Sequence, residues 1–243
     1  MFIKRIQKLM ATLASWRFIK ALLFYRVLAG SEHHYVLNLK FSTIVDIGAN
    51  RGQFALAARQ YCPDAMVIAF EPLIKPAAVF NKVFSGDPRV TLHNVAISEE
   101  EGRLEMHVSK RDDSSSLLPI AQAQEDLYPG TEEVSILDVN VGPLRKYIAS
   151  PDLNGRTLLK IDVQGYEYQV LIGCHDLINK FSYVYCEASF VELYSNQKLA
   201  KDVIEWMETN GFLLDGAYNF SYSKKSGQAI QADLLFKKQD IDR

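Results

Sequence analysis

An α/β protein with a doubly wound, mostly parallel sheet is the fold class this sequence predicts, and three observations carry it. Apolar, β-branched runs at 43–47, 66–70, 158–163 and 181–189 alternate with stretches of helical periodicity. The first run leads into Gly48-Ala49-Asn50-Arg51-Gly52, a glycine-framed turn that opens a helix. Three runs close on an acid, Asp46, Glu71 and Asp162, at the strand end where open sheets of this kind keep their ligands.

At 243 residues, 48% apolar and 23% charged, the chain suits one large globular domain with an adequate core. Its net charge of −2 hides an asymmetry. Residues 1–31 contain Lys4, Arg5, Lys8, Arg17, Lys20 and Arg26 and no acid, so they carry +6 and the remainder −8. Cys62, Cys174 and Cys186 are odd in number and far apart, which fits neither a disulfide framework nor a C-x-x-C metal pair and points to a reducing, cytoplasmic compartment. No basic, aromatic-interleaved patch lies in the acidic body, so nucleic acid is not an expected partner.

Taken in order, residues 2–28 read as an amphipathic helix, with Phe2, Ile6, Leu9, Leu13, Trp16, Ile19, Leu23 and Val27 at steps of three or four. Charges break every apolar run below the roughly 18 residues of a membrane span and spoil a secretory core. The segment, bounded at 1–39, is either an ordinary helix that packs on the domain or lids its site, or a peripheral contact with an anionic inner membrane face through residues 1–28. The main domain is placed at 40–243. It begins with a strand at 43–47, a helix from Phe54 and a strand at 66–70 stopped by Pro72. A helix over 74–84, one strand over 89–98 and an extended piece at 104–108 follow. Residues 109–131 are polar and too long for an ordinary connection, which predicts a mobile loop over a site or a disordered surface loop. A strand at 134–141 and a short helix from Pro143 lead to the strands 158–163 and 181–189. A helix over 196–210 closes at Gly211, and the last strands are 212–214 and 229–236, joined by a hairpin-like connection across 216–227.

The glycine turn reads D-x-G-x-x-x-G from Asp46, not the G-x-G-x-x-G of a dinucleotide site. An acid two places before the first glycine disfavours a diphosphate and welcomes a cation such as a sulfonium. Glu71 lies 25 residues beyond Asp46, near the offset at which an acid meets ribose hydroxyls in βαβ geometry. Lys160 and Asp162 interrupt an apolar strand at period two and so share a face. They form a buried ion pair with one another or with Asp46, or Asp162 opens onto a ligand at the strand's carboxyl end.

Four stretches, 45–54, 69–72, 94–98 and 159–167, resemble the FkbM family of S-adenosylmethionine-dependent methyltransferases, in the family's order and within a similarity spanning roughly 40–240. The resemblance implies a seven-stranded sheet with a reversed strand near the C-terminus, S-adenosyl-L-methionine as cofactor, and O-methylation, commonly of a sugar or polyketide hydroxyl. It places Asp46, Gly48, Asn50, Gly52 and Phe54 at the methionine end of the cofactor, Glu71 on the ribose, and Asn94 with the Ala96 backbone near the adenine. The family usually carries Glu where this chain has Gln164.

Methyl transfer to oxygen is an in-line displacement in which the acceptor must be aligned and lose its proton. Asp162, which should open onto the methyl group, is the first candidate base and Glu187 the second; His93 is weaker. Lys160 would orient Asp162, or act as base if burial lowers its pKa. No compact ligand motif supports a metal. The expected function is therefore S-adenosyl-L-methionine-dependent O-methylation of a sugar, glycan or related small-molecule hydroxyl. The alternatives are a non-catalytic cofactor-binding scaffold at a membrane glycan-assembly complex and a nicotinamide-dependent oxidoreductase, the latter disfavoured by the missing middle glycine and by Asp46.

Overall fold

A computed structural model describes residues 15–239. In chain order its first elements are α1 (Trp16–Tyr25), α2 (His34–Leu37), β1 (Thr43–Ile47), α3 (Gln53–Tyr61), β2 (Met66–Phe70) and α4 (Ile74–Val83). Next come β3 (Val90–His93), β4 (Ala96–Ile97), β5 (Gly102–Ser109), α5 (Gln122–Leu127), β6 (Glu133–Gly142) and β7 (Thr157–Ile161). The chain finishes with α6 (Glu167–Gly173), α7 (His175–Ile178), β8 (Tyr183–Ser189), α8 (Ala200–Thr209), β9 (Phe212–Tyr222) and β10 (Ala229–Lys238).

Seven strands form one sheet in the order β3-β2-β1-β7-β8-β10-β9, and only β10 and its neighbours pair antiparallel. The chain winds outward from β1 in one direction and then crosses to β7, so the strand order reverses between β1 and β7. A crevice opens at that point, beyond the carboxyl ends of both strands. Each of these two strands is buried along all five residues, as expected for central parallel strands covered on both faces. Side-chain parity sorts the core into two halves. Val45, Ile47, Leu159, Ile161 and Val184 face one cluster with α6 and α8. Ile44, Leu158, Tyr183 and Leu235 face another with α3, α4 and the N-terminal segment. Asp46, Lys160, Asp162, Tyr185 and Glu187 have the parity of this second face.

Three expectations from the sequence need correction. First, 89–98 is two strands, not one. The chain turns at Asn94-Val95, and β4 leaves the main sheet to pair with β6 in a three-stranded sheet of order β4-β6-β5. Second, 109–131 is an ordered segment rather than a mobile or disordered loop. His107 and Ser116 exchange backbone hydrogen bonds, the Ala121 N–H donates to Leu193, and α5 lies within the stretch. Third, β9 runs on to Tyr222, and only 223–228 connect it to β10, closed by a Ser223 N–H bond to the Gln228 carbonyl at 2.8 Å.

The N-terminal helix also differs from its sequence reading. Residues 2–14 of the expected helix lie outside the described residues. The described part ends at Tyr25, where Arg26 takes a left-handed φ of 56°. Phe18 and Ala21 are buried against the domain, whereas Trp16, Leu23 and Phe24 are 73, 70 and 72% exposed. The residues of that periodicity divide: Trp16 and Leu23 face outward, while Val27 enters the core with Ala29 from an extended connection. Phe18→Ala should therefore destabilise the fold by about 3–5 kcal/mol, and Trp16→Ala by no more than about 0.5 kcal/mol. Equal losses in urea unfolding would contradict this orientation of α1.

Candidate active site

A cavity of about 380 Å³ occupies the crevice, within the roughly 300–1,000 Å³ range of small-molecule sites. The turn after β1 forms its floor. Gly48 has a φ of +82°, and a Cβ there would lie 1.8 Å from the Asp162 carbonyl oxygen. The glycine thus lets the ends of β1 and β7 approach one another, and it also lines the cavity. The turn's N–H groups are already spent. Those of Gly48 and Ala49 donate to the Phe70 carbonyl, that of Asn50 to Glu71 Oε2, that of Arg51 to the Asn50 side chain and that of Gly52 to Ala49. A phosphate-cradling turn presents such donors to its ligand. This one does not.

Beneath the floor, one register row crosses three strands: Asp46 on β1, Lys160 on β7 and Tyr185 on β8. The Lys160 ammonium stands 3.3 Å from Asp46 Oδ1, 3.5 Å from Asp162 Oδ2 and 5.5 Å from the Phe54 ring centre. Burial alone would lower the lysine pKa, but the two carboxylates outweigh it and hold the ammonium charged above its ordinary range. Lys160 thus serves as the charged partner that orients Asp162. Asp46 is completely buried, and burial pushes its carboxyl upward against the pull of Lys160. It does not open onto the crevice, so the cation preference assigned to it must come from elsewhere. It does: Glu32, Glu71, Asp112, Asp113 and Asp162 line the cavity, against the cations Arg111 and Lys160.

Gly48, Asn50, Phe54, Glu71 and Ala96, all expected at the cofactor, line the cavity. Glu71 accepts N–H bonds from Asn50 at 2.9 Å and Leu73 at 2.8 Å, and burial, opposed by these bonds, raises its pKa to about 7. Gly52 and Asn94 do not line it. Gly52 faces Phe80 and Phe84, where a Cβ would come within 2.5 Å of a ring carbon. Asn94 turns its amide onto the Glu71 and Pro72 carbonyls at 2.7 and 3.0 Å. The apolar wall next to Ala96 consists of Leu73, Val95, Ile97, Met106 and Leu117.

Asp162 lies one residue past β7 and lines the cavity. Gln164 donates from one amide nitrogen to Asp162 Oδ1 at 2.7 Å and to Glu187 Oε2 at 3.0 Å. A glutamate at 164 would put a third carboxylate between these two; the amide supplies a donor instead. Glu187 sits behind Gln164, takes a second amide bond from Gln231 at 2.9 Å, and is pushed far above its ordinary pKa by burial and by Asp162. It is not among the cavity-lining residues and meets the crevice only through Gln164 and Gln231. Glu167 pins the loop, accepting the Val163 and Gly165 N–H groups at 3.1 and 3.0 Å. His93 stacks on Phe70 at 5.0 Å between ring centres, a packing role.

Two further parts complete the wall, the first within the stretch expected as a loop over a site and the second not read from the sequence. The 111–117 stretch is held against the crevice by the Arg51–Asp112 ion pair and by the Tyr194 hydroxyl, 3.1 Å from the Ser114 carbonyl. The connection after α1 brings Gly30, Glu32 and His33 to the cavity, anchored by a Gly30 N–H bond to the Gln53 carbonyl at 2.8 Å. Neither carries a local motif; both are joined to the site only by tertiary contacts. Among the described residues no group of three His, Cys, Asp or Glu side chains could hold a metal ion.

The charged row can be tested directly. Lys160→Met leaves Asp46 buried without its cation and should cost about 3–5 kcal/mol. Combining it with Asp46→Asn should recover part of that loss. A double variant as unstable as the sum of the two single variants in urea unfolding would show that the two residues are not coupled.

Known proteins are similar to this chain in sequence. The chain is 29% identical over 168 residues to the 2-O-methyltransferase NoeI of Sinorhizobium fredii (strain NBRC 101917 / NGR234), covering 67% of this chain and 69% of that one. It is 26% identical over 147 residues to Methyltransferase 1 of Beauveria bassiana (strain ARSEF 2860), and spans 59% of that protein's length. Solved structures are more distant. A protein of the NADB-Rossmann superfamily from Streptococcus agalactiae superposes with a TM-score of 0.49 at 12% identity, covering 87% of this chain and 70% of that one. The precorrin-6y C5,15-methyltransferase from Geobacter metallireducens GS-15 gives 0.44 at 10% identity, covering 84 and 86%. The model of the methyltransferase FkbM domain matches residues 46–214, which contain the end of β1, the glycine turn, Glu71 and the Asp162 loop. The chain belongs to the FkbM methyltransferase family.

Proposed function

We propose that the chain is an S-adenosyl-L-methionine-dependent O-methyltransferase whose acceptor is a hydroxyl of a sugar, glycan or related small molecule. The observation that carries the donor assignment is the pairing of an acid-lined crevice with a glycine turn whose N–H groups are all internally bonded. Such a site repels a diphosphate and favours a nucleoside bearing a positive charge. When bound, the donor supplies an electrophilic methyl group on a sulfonium. Asn50, Gln53 and Phe54 would hold its amino-acid end, Glu71 the ribose hydroxyls, and the wall around Ala96 the adenine. Gly48 fits this reading by bringing the ends of β1 and β7 close together.

Oxygen as the atom methylated is supported by the relative named a 2-O-methyltransferase. Asp162 stands on the cavity wall with one oxygen taken by Lys160 and the other by Gln164, so its orientation is fixed. Each oxygen keeps a lone pair, and the carboxylate orients the acceptor hydroxyl and favours positive charge beside it.

A peripheral contact with an anionic membrane face belongs to the same reading. It is supported by the exposed Trp16, Leu23 and Phe24, with Arg17 and Lys20 on the same helix. Among the described residues no helix is long and apolar enough to cross a membrane.

Incubation of the full chain with methyl-labelled S-adenosylmethionine and a panel of methyl glycosides tests the assignment. Labelled ether methyl groups are expected, and Asp162→Asn should lower turnover by about 100-fold while the donor still binds. Label appearing only on nitrogen or sulfur acceptors, or undiminished turnover in the variant, would contradict it.

A further inference from the structure

A histidine outside the matched family domain also lines the crevice. His33 is carried by the short helical turn Ser31–His33 between α1 and α2. Its ring sits edge-on to Phe54 at 5.2 Å and to Tyr185 at 5.6 Å, with the side chain 15% exposed. His33 Nδ1 is 3.1 Å from the Tyr185 hydroxyl oxygen, and that hydroxyl donates to Asp233 Oδ2 at 2.9 Å. With Asp233 ionised, the tyrosine proton goes to that carboxylate, the tyrosine oxygen accepts from the ring, and Nδ1 carries the imidazole proton. Asn219 donates to Asp233 at 2.8 Å and to the tyrosine oxygen at 3.2 Å, and its amide nitrogen lies 3.5 Å from His33 Nδ1. This arrangement leaves the lone pair on Nε2. That nitrogen accepts no hydrogen bond among the described residues, and it lies on the ring edge turned toward Gly30 and Glu32, both of which line the cavity with His33.

We propose that His33 Nε2 is the general base of the methyl-transfer site, with Tyr185 and Asp233 as its positioning residues. This rests on the hydroxyl-acceptor reading above. In the step, the acceptor oxygen bonds to the methyl carbon as the carbon–sulfur bond breaks and sulfur keeps the electron pair. The hydroxyl proton passes to Nε2, and the imidazolium formed stands 3.7 Å from Asp233 and 3.8 Å from Glu32 before losing that proton to solvent.

The surroundings suit a base that is neutral before the step. Burial is the largest influence on His33 and lowers its pKa, opposed by Asp233 and Glu32, with smaller effects of Lys160 downward and Asp162 upward. Burial also raises the Asp233 carboxyl, which makes it a stronger partner for the imidazolium once formed.

Two measurements on the full chain test the proposal. Nitrogen-15 NMR of histidine-labelled protein with S-adenosylhomocysteine at pH 7.5, assigned with His33→Gln, should show His33 neutral with its proton on Nδ1. Tyr185→Phe should shift the population toward the Nε2–H tautomer. A protonated ring or an Nε2–H tautomer in the wild type would overturn the proposal without any acceptor in hand. On the methyl-glycoside panel, His33→Gln and His33→Asn should lower kcat by about 100-fold or more with donor affinity within about threefold of wild type. Full turnover in either variant overturns the role of His33 alone, whereas a wild type that methylates no hydroxyl overturns the acceptor reading and this role with it.

Discussion

A lysine ammonium held between two carboxylates is the interaction on which the rest of this structure depends. Lys160 sits at the junction of β1 and β7, where the strand order reverses, and pairs downward with the fully buried Asp46 and outward with Asp162. No other side chain among the described residues offers Asp46 a hydrogen bond, so the pair is stable only while the register of the two strands holds. The same lysine aims the Asp162 carboxylate and packs its charge against Phe54. Fold and site therefore share one electrostatic element, and Lys160 is the fixed cation around which the acids are arranged, as the ion-pair reading of the sequence expected.

From this element a polar row extends across the sheet face. Lys160 is in register with Tyr185 on β8, and Tyr185 meets Asp233 on β10 and His33 from the N-terminal connection. This face is otherwise apolar and is covered by α3, α4 and α1. The N-terminal segment consequently contributes to the core through Phe18, Ala21, Val27 and Val36 and to the crevice through His33. On the outer side, Gln164 separates Asp162 from Glu187, and the 111–117 stretch closes the wall. Carboxylates dominate the lining, while the turn's backbone donors are consumed internally.

Much of this was legible in the sequence where the signal is local. The strand runs ending in Asp46, Glu71 and Asp162, the glycine turn and the alternation of elements all follow from composition and period, and they put β1, β2 and β7 where they are. Side-chain direction was legible only in part. Period two put Lys160 and Asp162 on one face, but which face the N-terminal segment covers is a tertiary matter, so Asp46 was expected in the crevice and instead lies under it. Gly52 and Asn94 show the same limit: their spacing is that of a binding motif, but their neighbours are Phe80, Phe84 and two backbone carbonyls. The 111–117 wall was legible only as part of a loop over a site, because its polar composition carries no motif, and His33 could not be read at all, since it reaches the site from a distant connection.

The central claim is that this crevice binds a cationic nucleoside and not a dinucleotide. Calorimetric titration of the full chain with S-adenosylmethionine and with NAD, at pH 8 and pH 6, tests it most directly. Glu71, held at about 7, must be ionised to accept fully from ribose hydroxyls, so binding should weaken as the pH falls through that value. One saturable site for S-adenosylmethionine that weakens from pH 8 to pH 6, with no heat from NAD, is the predicted result. Saturable binding of NAD, or no binding of S-adenosylmethionine at either pH, would contradict it.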